Sequence, residues 1–130
     1  MRTLFSLIES PMHPNFSALY QQLGIAEQRF TAARKLHKAV QQQAPDFLVG
    51  EFIYGFGNNY AGANVCNLDV TLRALQRFSP HTKVIIFVPP PEAQYVDKLL
   101  ELFPIHAVLK YPVTAQDLTT AMGITNIAQS

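Results

Sequence analysis

The chain has 130 residues, 48% of them hydrophobic and 15% charged, with a formal net charge of +1. That is one domain's worth of chain with enough apolar content to bury a core, which excludes a disordered segment. The near-neutral charge, with no basic stripe along the sequence, argues against a direct nucleic-acid partner, and no apolar run is long enough to span a bilayer.

In chain order, Thr3–Ile8 is a short apolar run that predicts a first central strand, ending at Glu9-Ser10-Pro11. Pro11 and Pro14 block its continuation. Asn15 is a helix N-cap candidate ahead of Phe16, Leu19, Tyr20 and Leu23 at helical spacing, and Gly24 closes that helix. Gln28–Ala32 predicts a weak strand. Arg34–Gln43 predicts a helix with Leu36, Ala39 and Val40 facing inward, stopped by Pro45. Pro45–Glu51, PDFLVGE, is an apolar run bounded by turn residues, the pattern of a strand buried on both faces. It ends on a carboxylate, Glu51, where a parallel sheet presents its carboxyl edge and α/β folds place their sites.

A long glycine- and asparagine-rich loop follows, Gly55 to Asn67. Asn67 or Asp69 then starts a helix with Val70, Leu72, Leu75 and Phe78 as its apolar positions. Thr82–Val88 is the most strand-like run of the chain and ends at Pro89-Pro90-Pro91. Glu92–Phe103 predicts an amphipathic helix on which Tyr95, Val96, Leu99, Leu100 and Leu102 face the core or a partner, broken by Pro104. His106–Leu109 predicts a last strand. Thr114 caps a final helix with Asp117 as capping-box partner. Five strands alternating with five helices imply parallel pairing, right-handed crossovers and a three-layer α/β sandwich. One domain over 1–130 is expected, ordered from about 2 to 122 with a frayed tail at 123–130. The N-terminus MRTLFSLIES is too short for a signal peptide, and the single cysteine Cys66 excludes an internal disulfide, so a soluble cytoplasmic protein is expected.

This order resembles the receiver domains of bacterial two-component response regulators, on the flavodoxin-like fold. The resemblance rests on Ile8-Glu9-Ser10 at the end of the first strand, PDFLVGE in the third, VIIFVPP in the fourth, and Lys110-Tyr111-Pro112 with Asp117-Leu118 at the last turn and helix. It implies a five-stranded parallel sheet of order 2-1-3-4-5. It also implies that Glu9, Ser10, Glu51, Val88 and either Lys110 or Tyr111 occupy the positions that hold magnesium and the phosphoryl group in the family.

Those positions depart from the family's pattern. One acid of the pair is the hydroxyl of Ser10, the phospho-accepting aspartate is Glu51, and the Thr or Ser ligand is Val88. Matching the prolines puts Tyr111 in the place of the family's lysine and predicts a cis Tyr111–Pro112 peptide; matching the lysines keeps Lys110 and makes Tyr111 an insertion. The register with Tyr111 is preferred. The switch aromatic falls at Ala107 or Val108 and is absent.

The expected protein is therefore a receiver-like signalling domain that is not phosphorylated and not an enzyme. It would act as a protein-interaction or dimerisation module, without a cofactor or magnesium. The resemblance puts the partner or self-association face on the fourth helix, last strand and last helix, with Tyr95, Leu102 and Leu109 as candidate contacts. Two alternatives stand beside this: an atypical phospho-acceptor or divalent-metal site at Glu9 and Glu51, or small-ligand binding at the long loop, whose aromatics include Phe52, Tyr54, Phe56 and Tyr60 around Asn58-Asn59. If Glu9 and Glu51 are close, repulsion should raise one pKa. Cys66 has no histidine at a telling distance among His13, His37, His81 and His106. Only His13 lies near the expected active edge.

Overall fold

A computed structural model of the protein describes residues 2–11, 13–53 and 67–123. The expectations that fall on Tyr54, Phe56, Asn58, Asn59, Tyr60, Cys66 and the tail beyond Gly123 lie outside the described residues.

Five strands, β1 (Arg2–Leu7), β2 (Ile25–Phe30), β3 (Phe47–Glu51), β4 (Lys83–Val88) and β5 (Ala107–Lys110), form one sheet of order β2-β1-β3-β4-β5. All four pairings are parallel. The helices are α1 (Ser17–Gln22), α2 (Ala33–Gln42), α3 (Asp69–Phe78), α4 (Val96–Leu102) and α5 (Ala115–Met122).

Parallel strands buried on both faces are apolar in unbroken runs. Every residue of β3 is buried, as are five of the six in β4. Their side chains alternate between two cores. Leu48, Ile86 and Val88 join Leu36, Val40, Leu72 and Leu75 on the α2–α3 side. Phe47, Val49, Ile85 and Phe87 join Tyr20, Leu118 and Met122 on the α1–α5 side. The sheet thus separates two packed layers, and its carboxyl edge opens where β1 and β3 end.

Gly50 of β3 packs against Leu68, the N-cap of α3. A Cβ built there would sit 3.1 Å from a methyl of Leu68, which is itself fully buried. Gly50→Ala should therefore destabilise the domain by about 1–3 kcal/mol through overpacking, read by urea denaturation.

Several local expectations need correction. The second strand starts at Ile25, not Gln28, directly after Gly24 (φ 73°). It is an edge strand, and only Ile25 and Phe30 at its ends are buried, which hides the strand signal between them. Asn15 is not the N-cap of α1; Phe16 is, while Asn15 Oδ1 accepts from the Ser17 amide at 2.9 Å.

The expected Glu92–Phe103 helix is a 3-10 segment, Pro90–Tyr95, followed by α4. Two prolines remove amide donors at its start, and the first turn closes instead with the Glu92 amide on the Pro89 carbonyl at 2.9 Å. Val70 and Phe78 of α3 face outward, 53% and 40% exposed. At 3.6 residues per turn Val70 falls away from Leu72 and Leu75, and Phe78 stands at the edge of their face. The final helix matches its sequence signature. Thr114 Oγ1 accepts from the Asp117 amide at 3.0 Å and Asp117 Oδ2 accepts from the Thr114 amide at 3.2 Å, with Gly123 at φ 70° as the C-cap.

Candidate functional site at the carboxyl edge of the sheet

Glu51 is the last residue of β3 and is only 3% exposed. Burial of a carboxylate needs compensating donors. Ser10, in the turn after β1, supplies one: its Oγ donates to Glu51 Oε1 at 2.6 Å.

Glu9 stands beside it and is tied down by Asn67, the residue at which the described chain resumes. Asn67 Nδ2 donates to Glu9 Oε1 at 2.5 Å and to the Glu51 carbonyl at 2.8 Å. Asn67 Oδ1 accepts from the Ile53 amide at 2.8 Å, which fixes the orientation of the side-chain amide. One side chain therefore ties the ends of β1 and β3 to the start of α3. Its reading from sequence was only a helix start. Nothing local marks its second role, because its partner Glu9 lies 58 residues away.

Burial raises the pKa of Glu9, the Asn67 hydrogen bond opposes the rise, and the charge on Glu51 adds to it. The expected repulsion between the two carboxylates is present, but it is smaller than desolvation. An acid whose folded pKa is raised contributes most stability below its free value, near 4.5, and loses that contribution as pH rises through the folded value. His13 and His37 are shifted down, chiefly by burial, so their contribution is present above about 6.5 and is lost as pH falls through their folded values. Acidification from neutral pH should first destabilise the protein through the histidines, with Glu9 opposing the loss nearer pH 5. Glu9→Gln keeps an acceptor for Asn67 and removes the charge. It should be more stable than wild type near pH 7 and lose that advantage near pH 4, as thermal melts across that range would show.

Phe87 forms the apolar wall of this edge. It pairs with Glu51 in the β3–β4 register and is fully buried. The His13 ring lies 5.5 Å from it, Phe16 6.2 Å and Tyr111 6.1 Å, the last two edge-on. Two polar atoms end up buried here without a hydrogen-bond partner among the described residues, His13 Nδ1 and the Tyr111 hydroxyl. Burial and the adjacent Glu51 carboxylate push the Tyr111 pKa up.

Tyr111, whose amide bonds to the Val88 carbonyl at 3.0 Å, thus stands against Glu51, and the Tyr111–Pro112 peptide is cis. Lys110 ends β5 opposite Val88 and is exposed. Val88 is fully buried in the α2–α3 core. Of the residues singled out from sequence, Glu9, Ser10, Glu51 and Tyr111 come together. Of the candidate partner contacts, Leu102 is 55% exposed, whereas Tyr95 and Leu109 pack partly against the two cores.

No family model matches the sequence, and no curated protein matches it. Solved structures do. A response regulator receiver domain protein from Clostridium thermocellum superposes with a TM-score of 0.73 at 17% identity, covering 99% of this chain and 97% of that one. A response regulator receiver protein from Burkholderia phymatum gives 0.67 at 14% identity, covering 96% and 98%. The receiver domain of a sensor histidine kinase from Pseudomonas aeruginosa, solved with a magnesium ion coordinated in its active-site cleft, gives 0.68 at 11% identity, covering 93% of each chain. Together with the parallel sheet of order 2-1-3-4-5, these likenesses give the protein the flavodoxin-like fold of response-regulator receiver domains.

Proposed function

We propose that this receiver-fold domain acts in two-component-type signalling without being phosphorylated, as a module that binds a protein partner or a second copy of itself. The observation that carries the proposal is that Glu9 and Glu51 are already hydrogen-bonded by the chain's own side chains at the carboxyl edge. The Ser10 hydroxyl is spent on the Glu51 carboxylate and the Asn67 amide on Glu9.

Magnesium requires tight octahedral oxygen geometry. Here an N–H donor occupies one face of Glu9, and a second acid is missing at Ser10. Among the described residues, no three His, Cys, Asp or Glu side chains are grouped to hold a metal ion. The donor set does not fit the ion. Val88 offers no hydroxyl to a phosphoryl oxygen, and Tyr111 brings a neutral hydroxyl where the family's lysine brings a cation. Without that chemistry the domain performs no catalysis, and its output depends on binding. The face formed by α4, β5 and α5, with exposed Leu100 and Leu102, is the proposed contact.

The test is incubation with acetyl phosphate and magnesium, read by intact mass. An unchanged mass is expected. A stable phosphoryl adduct would instead favour the second reading, an atypical phospho-acceptor site at Glu9 and Glu51. Light scattering of wild type and Leu102→Glu then reports on self-association: a dimer lost in the variant supports the face named.

A further inference from the structure

The sequence shows no basic stripe, but the fold assembles one. Helices α2 and α3 lie side by side, joined by His37 Nε2 and Thr71 Oγ1 at 2.8 Å. Arg34, Lys35 and Lys38 of α2 and Arg73 and Arg77 of α3 are all exposed, half of the chain's ten Lys and Arg. Helix α2 contains no acidic residue, and the only one in α3, Asp69, is fully buried. The pairs Arg34/Lys38 and Arg73/Arg77 stand at i, i+4, a spacing at which like charges disfavour a helix.

The spacing also places an apolar strip among them. Arg34 lies three residues before His37, so it and Lys38 stand on the outward side of α2 toward α3. Val70, Ala74 and Phe78 follow one another at intervals of four along α3, beside Thr71 and so toward α2. Val70 and Phe78 are two of the four exposed large hydrophobic residues among the described residues. Arg77 holds its guanidinium 5.2 Å from the Phe78 ring centroid. An apolar strip thus runs between a cationic bank on α2 and another on α3.

We propose that the outward surface of α2 and α3 is a docking face for an acidic amphipathic helix of a partner protein. The apolar stripe of such a helix would cover Val70 and Phe78, and its flanking carboxylates would meet Arg34, Lys38 and Arg77. A cationic strip alone would suit any polyanion; the apolar residues between the banks select a ligand with one apolar face. The surface is separate from α4, β5 and α5, and the inference holds whether or not Glu51 accepts a phosphoryl group.

The experiment titrates the isotopically labelled full chain with a synthetic helical peptide carrying leucines at alternating three- and four-residue intervals, flanked by glutamates. A scrambled peptide of the same composition, a double-stranded oligonucleotide and phosphatidylserine-containing vesicles are titrated in parallel. Saturable NMR shifts confined to α2 and α3 are expected with the helical peptide. The Lys38→Glu/Arg77→Glu variant should weaken binding roughly tenfold or more, as should Arg34→Glu/Lys35→Glu if the first pair folds poorly. Phe78→Ser should weaken it without changing its salt dependence. Absence of saturation, shifts centred elsewhere, equal binding of the scrambled peptide, or tighter binding of the oligonucleotide or vesicles would overturn the proposal.

Discussion

Phe87→Ala should destabilise the domain by about 3–5 kcal/mol, the range for emptying a fully packed aromatic site. A domain of this size has roughly 5–15 kcal/mol in total, so the loss is a large share of it. Phe87 is fully buried near the carboxyl end of β4 and belongs to the α1–α5 core with Tyr20, Leu118 and Met122. Its ring also contacts His13, Phe16 and Tyr111. Two segments from opposite ends of the chain lean on one side chain, so local collapse cannot fill the cavity without moving the candidate site. Urea denaturation should show the lower midpoint, and the amides of His13 and Tyr111 should shift most in NMR spectra. Phe87→Leu, which keeps most of the volume, should cost less than half as much.

Asn67→Asp is expected to have the second-largest effect, about 2–4 kcal/mol near neutral pH. The amide that donates to Glu9 and to the Glu51 carbonyl becomes an acceptor, so two hydrogen bonds are lost and a third carboxylate enters a half-buried site. Protonation of the new carboxyl restores a donor. The penalty should therefore shrink as pH falls toward 5, the reverse of the histidine-driven loss in wild type. Asn67→Ala loses these bonds and the one from the Ile53 amide without adding charge, so its cost, about 1–3 kcal/mol, should vary little with pH. Denaturation midpoints of the two variants across that range separate lost hydrogen bonding from added repulsion.

The features legible in the sequence are those written in contiguous residues. β3 and β4 read as buried strands because both of their faces are covered. The capping box of α5 spans only Thr114 to Asp117. The sheet order and the grouping of Glu9, Ser10, Glu51 and Tyr111 followed from the resemblance carried by these local patterns.

What sequence reading missed depends on packing between distant segments. β2 is polar between its ends because it is an edge strand, so its start was misplaced. Val70 and Phe78 read only as apolar positions of the helix, because apolar identity alone does not say which of them faces out. Asn67 is a short polar residue after a glycine-rich loop, and nothing nearby hints that it holds Glu9. The cationic face escaped because its members come from two helices separated by β3 in the chain and become neighbours only once the fold brings them together.

The central proposal is that Ser10 and Asn67, by bonding to Glu51 and Glu9, leave a donor set unsuited to magnesium and a phosphoryl group. The most direct measurement is an NMR titration of the full chain with beryllofluoride and magnesium, following the amides of Glu9, Ser10, Glu51 and Tyr111. The account predicts no saturable shift at these positions. Saturable, magnesium-dependent shifts centred on Glu51 would contradict it.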